Sequence, residues 1–270
     1  MKVDQVRAEA NSLLMLNQAR EGAMVGFIFM LYGVASYLFF FAVFLYAVAF
    51  VGDLPVPKTI DSGAQGPLAP SLIIDVLLLG LFAIQHSLMA RPAFKRIWTM
   101  IVPPPVERST YVLFTSLVLL VLYLFWRPLT QPIWSLSGMA GVALQAVFWV
   151  GWAVVLISTF LISHFELFGL SQVFNRFRGR EPEPPEFRKP VFYRFVRHPI
   201  YVGFILAFWA TPKMTLGHLV FALATTGYMV IAIQFEEHDL IGVFGERYRS
   251  YRKETGMLWP RFGGRGPGAA

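Results

Sequence analysis

The sequence predicts an all-α integral membrane protein with about five transmembrane helices. The last segment reads as a broken helical hairpin, followed by a short cytoplasmic C-terminal amphipathic helix. Three observations predict this class. Of 270 residues, 56% are hydrophobic and only 14% charged, where a soluble domain carries about a quarter charged residues. The apolar residues fall in runs long enough to cross a hydrocarbon core of about 30 Å. The 23 Lys and Arg residues are also distributed unevenly between the two sides those runs define.

The first run, residues 23–51, is long enough to cross with tilt. The second covers about 72–89, the third 111–126 and the fourth 139–163. The last apolar stretch, 201–235, is interrupted between Thr211 and His218, and its first arm is too short to span well alone. It reads as a helical hairpin with the break at its tip, which leaves His218 an ordinary loop residue there. Residues 236–253 carry charges at helical spacing with Phe244, Tyr248 and Tyr251 interleaved, so the last helix is expected to leave the membrane as an amphipathic arm. Gly256 and Pro260 end it.

Only Lys58, Arg127 and Lys213 fall on the side opposite the other basic residues. By the positive-inside rule both termini are cytoplasmic, in a bacterial inner membrane on this reading. The basic balance is accounted for by topology and contact with membrane lipids, and no nucleic-acid partner is expected. Residues 1–22 form a polar cytoplasmic segment without a cleavable leader, so the first span is expected to direct insertion. Residues 23–175 hold the first four helices and their loops. Residues 176–262 form a cofactor-binding region that opens with a stiff Pro-rich linker ending at Pro190, and 263–270 a flexible tail. With no Cys, disulfides, thiolate metal sites and a Cys nucleophile are excluded. No metal site is read, and oligomeric state is not legible.

Ionisable groups gather at one membrane depth on four segments. Gln85-His86-Ser87 ends the second span, and Ser163-His164-Phe165-Glu166 ends the fourth. Arg197-His198 lies where the chain re-enters, and Glu236-Glu237-His238 where it leaves. Each alone has a bland reading, since helix ends are where polar residues belong. Two adjacent carboxylates repel, however, so Glu236 and Glu237 call for a cationic partner. Pro199 fits the first turn of a helix and biases His198 to an extended backbone. That helix start would offer free N–H groups, beside Arg197, to a carboxylate. Gly203, one turn on, allows close approach of a ligand or of another helix.

These residues carry a resemblance. Arg197-His198-Pro199-Ile200-Tyr201-Val202-Gly203, then a hairpin, then Glu236-Glu237 and Phe244-Gly245-Glu246-Arg247-Tyr248-Arg249-Ser250-Tyr251-Arg252, resembles the integral-membrane S-adenosylmethionine-dependent methyltransferases. That group includes the isoprenylcysteine carboxyl and phospholipid methyltransferases. The stretches 85–91 and 164–172, with Gly217-His218-Leu219, look like the methanethiol S-methyltransferase branch, which is grouped with NnrU-type membrane proteins. The resemblance implies methyl transfer from S-adenosylmethionine to a small thiol, methanethiol, giving dimethyl sulfide. It implies cofactor binding by Arg197, His198, Tyr201 and Gly203 from one side and by Glu236 and Glu237 from the other. Isoprenylcysteine members place an arginine shortly before the glutamate pair. Here Ile231-Ala232-Ile233-Gln234 offers no cation, which suits an uncharged thiol better than a carboxylate acceptor.

Transfer to sulfur requires an in-line approach and a thiolate. Ionising an alkyl thiol three pKa units above ambient pH costs ~4 kcal/mol, which a base can lower. His164, with Glu166 beside it at a helix end, is the first candidate base; His86 and His198 follow. Two alternatives stand: the same chemistry on a lipid or prenyl-cysteine acceptor, and a haem-binding or assembly protein of NnrU type with His86, His164 or His198 as ligands.

Overall fold

The computed structural model describes the backbone of residues 2–181, 184 and 186–261, and within these the side chains from Glu21 onward. The expected tail at 263–270 lies outside the described residues. Helix α1 (Lys2–Val51) carries the first span and continues upstream of it, so the backbone of residues 2–22 is helical. Helix α2 (Leu68–Ala90) stops at Arg91, because Pro92 forces that residue to extended backbone (ψ 139°) and opens the short helix α3 (Pro92–Trp98). Helix α4 (Pro104–Phe125) also begins at a proline. After it come strand β1 (Pro132–Ser135) and helix α5 (Gly138–Ile162), and then two short helices, α6 (His164–Leu167) and α7 (Leu170–Phe177). The hairpin consists of α8 (Pro199–Trp209), strand β2 (Lys213–Thr215) and α9 (Leu216–Phe244). Helix α10 (Glu246–Glu254) follows a break at Gly245, whose φ of 58° suits a residue without Cβ.

Five helices among the described residues are long and apolar enough to cross a membrane: residues 21–51 of α1, then α2, α4, α5 and α9. Their outward faces stay bare: Leu77, Ile84 and Val142 are each about two-thirds exposed. Lipid tails can cover such side chains and water cannot. This is an all-α integral membrane protein. Inside the bundle, Phe50, Tyr123, Trp126, Phe148, Trp152, Phe208 and Phe221 form one aromatic-rich core.

Two glycines set the tightest helix contact. A Cβ on Gly151 of α5 would stand 2.6 Å from the Ala207 backbone nitrogen. One on Gly203 of α8 would stand 2.7 Å from the Gly151 carbonyl oxygen. Such close approach is how small residues drive helix association in lipid.

The hairpin is broken at its tip, as expected, and the break is an extended segment. Counting from the level of Glu237, α9 rises ~32 Å to Leu216, whereas α8 supplies only ~16 Å. The extended segment 210–215 makes up the difference, so non-helical backbone lies within the depth of the bundle. That arrangement is tolerated only where its polar groups are covered. Strand β1 covers it by pairing antiparallel with β2. Leu136 N–H donates to Pro212 O (2.8 Å), and the Trp134 indole donates to Thr211 O (3.0 Å). His218 is not the loose tip residue expected. It is buried, and its Nε2 lies 2.8 Å from Phe208 O, tying α9 to the end of α8.

Candidate functional site

The basic end of the hairpin gathers the re-entry and exit motifs at one point. Glu237 of α9 is only 2% exposed and is surrounded by three basic side chains. Arg197 Nε donates to its Oε1 at 2.6 Å, Arg252 Nε of α10 reaches its Oε2 at 2.8 Å, and His198 Nε2 lies 3.1 Å from Oε1. A carboxylate this deep is stable only with such compensation. Pro199 is the first residue of α8, as the motif requires, and His198 caps it with φ −126°.

The chain returns to hold this group from outside. Arg197 and His198 N–H groups donate to Gly256 O (2.8 Å) and Met257 O (3.2 Å). Arg197 Nη1 donates to Arg252 O (3.1 Å) and to Thr255 O. Tyr251 OH donates to Tyr193 O at 2.5 Å, fixing α10 against the 3₁₀ turn before the motif. Tyr193 and Tyr251 lie outside the spans, and burial raises the pKa of both phenols, so they remain protonated donors.

The two adjacent glutamates are not equivalent. Glu237 has its two oxygens met by protein partners, Arg197 among them. Glu236 leaves 43% of its side chain exposed, 3.9 Å from His198 Nδ1, and accepts one hydrogen bond, from Tyr201 OH at 3.0 Å. It is the carboxylate with acceptor capacity to spare. Gly203 faces the other way, with its Cα against Gly151 and Val155 of α5. Its lack of a side chain serves helix packing.

The remaining site candidates fall into two further clusters. His86 stacks on Phe82 (5.2 Å) and has both ring nitrogens 3.0 Å from Tyr111 OH. Tyr228 of α9 stands edge-on to that ring (6.4 Å), and its hydroxyl lies 3.1 Å from Ser87 Oγ. Tyr201 and Tyr228 lie within electrostatic reach of Glu236, and Tyr111 within reach of those two phenols but not of Glu236. A series of phenols thus runs from Glu236 to His86. Arg91 reinforces the same α2–α9 contact by pairing with Asp239 (2.9 Å) and lying over the Phe235 ring.

His164 sits elsewhere. Its Nε2 lies 2.8 Å from Tyr37 OH of α1, its Nδ1 is 2.9 Å from Thr159 Oγ1, and its ring stacks flat on Phe160 at 4.1 Å. Burial lowers its pKa. Glu166 is exposed and its side chain does not reach the imidazole. Among the described residues, no hydrogen bond or ring contact joins His164 to Arg197, His198, Glu236 or Glu237. Of the four segments expected at one depth, two share the carboxylate group, the His86 segment adjoins it through tyrosines, and the His164 segment serves α1. From sequence, Arg252, Tyr111 and Tyr228 carry no assigned role, although Arg252 lies within the basic aromatic run after Gly245 that carries part of the resemblance.

The chain is similar to proteins named methanethiol S-methyltransferase. One from Mycobacterium tuberculosis is 52% identical over 238 residues, 88% of this chain and 98% of the relative. One from Pseudomonas deceptionensis is 54% identical over 213 residues, covering 78% and 80%. More distantly, Nurim from Danio rerio is 28% identical over 185 residues, 65% of this chain and 66% of that protein. No protein-family model matches the chain, and no solved structure does.

Proposed function

Because this chain belongs to the methanethiol S-methyltransferase family, we propose that it methylates methanethiol to dimethyl sulfide, with S-adenosylmethionine as methyl donor. The observation that carries the reading is the unequal glutamate pair. Glu237 is spent on Arg197, His198 and Arg252, while Glu236 stands open beside the phenol of Tyr201.

The residues present suit this cofactor. Glu236 offers an anionic acceptor to its ammonium group or ribose hydroxyls. The start of α8 offers unbonded N–H groups to its carboxylate. The half-buried ring of Tyr201 supplies a face for a sulfonium, an attraction of up to about 2 kcal/mol when desolvated. When bound, S-adenosylmethionine supplies an electrophilic methyl group. Arg197, His198 and Glu237 then act as the frame that holds Tyr201 and Glu236 in place. Gly203 contributes by bringing α8 against α5.

His86 is the better-placed base, in preference to His164 and Glu166, because it ends the tyrosine series that starts at Glu236. It takes the thiol proton while Tyr111 orients its ring. His164 instead positions α1 against the end of α5 through Tyr37 and Thr159. The absence of a cation at Ile231-Ala232-Ile233-Gln234 favours the uncharged thiol over a carboxylate acceptor. The basic end of the bundle faces the cytoplasm of a bacterial inner membrane, with both termini on that side. Residues 176–262 act as the cofactor-binding region.

The test is headspace dimethyl sulfide from purified protein given methanethiol and S-adenosylmethionine, with S-adenosylhomocysteine formed in equal amount. Methylation of lipid amines or prenyl-cysteine but not methanethiol overturns the acceptor assignment. A Soret band in the pure protein, with no transfer, overturns the enzyme reading.

A further inference from the structure

Beside the carboxylate frame, on its outer side, is a second charged feature that methyl transfer does not use. A groove of about 400 Å³ is lined by Ile241 of α9, Arg249, Arg252 and Lys253 of α10, and Arg261. That volume lies within the ~300–1,000 Å³ of ligand sites. Four of its five lining residues are cationic, and their compensation is sparse. Arg249 meets Glu246 in a pair exposed on both sides (3.3 Å). Arg252 is directed inward to Glu237. Among the described residues, Lys253 and Arg261 form no ion pair. The Arg261 guanidinium reaches the Arg252 carbonyl at 3.4 Å and also bonds the Lys253 carbonyl, which fixes it at the rim without neutralising it. Positive charge held together in this way calls for an anion.

The surroundings determine which anion. Ile241 gives the groove an apolar wall continuous with the membrane-spanning part of α9. Val243 is 59% exposed and Trp259 is 79% exposed, and both lie within two residues of the lining. An exposed Trp beside cations and an aliphatic helix face is the composition of a bilayer–water boundary. We propose that this groove binds the phosphate headgroup of an anionic phospholipid, with the acyl chains running down α9 past Ile241. The groove and the carboxylate frame share one residue, because Arg252 lines the groove and also holds Glu237. A bound headgroup therefore steadies α10 where it grips the carboxylate.

The full chain is purified in detergent and titrated with phosphatidylglycerol or phosphatidylcholine. Retained lipid is read by native mass spectrometry and thermal midpoint by unfolding. Phosphatidylglycerol is expected to be retained and to raise the midpoint, and phosphatidylcholine to do neither. A K253Q/R261Q variant is expected to bind phosphatidylglycerol about thirtyfold more weakly, the scale of two lost cations at a charged leaflet. Its unaltered midpoint in phosphatidylcholine confirms that it folds. Equal retention of both lipids overturns the proposal, as does undiminished phosphatidylglycerol binding in the folded variant. Stabilisation by inorganic phosphate to the same extent, abolished by K253Q/R261Q, overturns the lipid assignment in favour of a free anion. None of these readouts involves methyl transfer, so the outcome is independent of the proposed reaction.

Discussion

Replacing Glu237 by Gln and Glu236 by Gln should give opposite phenotypes, although the residues are adjacent. Glu237 is buried with Arg197 and His198 at 2.6 and 3.1 Å, and the exposed Arg252 reaches it at 2.8 Å. Removing its charge leaves the buried Arg197 guanidinium facing a neutral amide with little solvent to replace the carboxylate. Breaking a buried ion pair by neutralising one partner costs about 3–5 kcal/mol. That is a large share of the roughly 5–15 kcal/mol that keeps a domain folded. At about 2–4 °C per kcal/mol for a chain of this size, the thermal midpoint should fall by about 10 °C. Glu236 is nearly half exposed and accepts one hydrogen bond, from Tyr201. Its substitution should change stability by less than about 1 kcal/mol. It should nevertheless weaken cofactor binding by roughly ten- to a hundredfold, the loss of one charge-assisted contact worth about 1.5–3 kcal/mol. Thermal unfolding in detergent and calorimetric titration with S-adenosylhomocysteine read the two effects separately. A stable Glu237→Gln protein, or a Glu236→Gln protein with unaltered affinity, refutes the division of labour between the two carboxylates.

His86→Ala should bind S-adenosylhomocysteine normally but lose turnover by about a hundredfold or more, with partial recovery at high pH where thiolate forms unaided; full turnover removes His86 as base. His164→Asn should retain turnover and change the acid stability instead. Burial holds the folded imidazole below its ordinary 6.5, so the unfolded chain takes up the proton first. Stability should therefore fall as pH drops below about 6.5, and the variant should flatten that fall; an unchanged pH profile of the thermal midpoint counts against it. Gly151→Ala puts a Cβ into the Ala207 backbone, so it should destabilise by about 1–3 kcal/mol and weaken cofactor binding to the same extent as Gly203→Ala. If only Gly203→Ala affects the cofactor, Gly203 contacts it directly.

The spans were legible because twenty or so consecutive apolar residues have few other uses, and their observed ends fall within a few residues of those read, except at α1 and α4. Pro104 opens α4 seven residues before the apolar run that marks it, since a helix emerging from lipid needs no hydrophobicity there. The β1–β2 pair was not legible. The four residues of β1 show no period, and what makes Pro132–Ser135 a strand is the bare backbone of the segment from Thr211 to Thr215, which needs partners. The convergence of Arg197 with Glu237 could be read from charge and position. That Glu237 would be fully occupied could not, because its third partner, Arg252, is directed inward by the turn at Gly245. At His164 the sequence shows His-Phe-Glu at a helix end, the look of an acid–base pair, but not the hydroxyls of Tyr37 and Thr159 that meet its two ring nitrogens.

The fastening of residues 197 and 198 by Gly256 and Met257 has a consequence for truncation. Among the described residues, the aromatic core and the α5–α8 glycine contact use nothing beyond α9, whereas removing residues 246–261 strips the re-entry motif of its two backbone acceptors and Glu237 of Arg252. A chain cut after α9 should therefore keep its bundle and lose the grip on its central carboxylate.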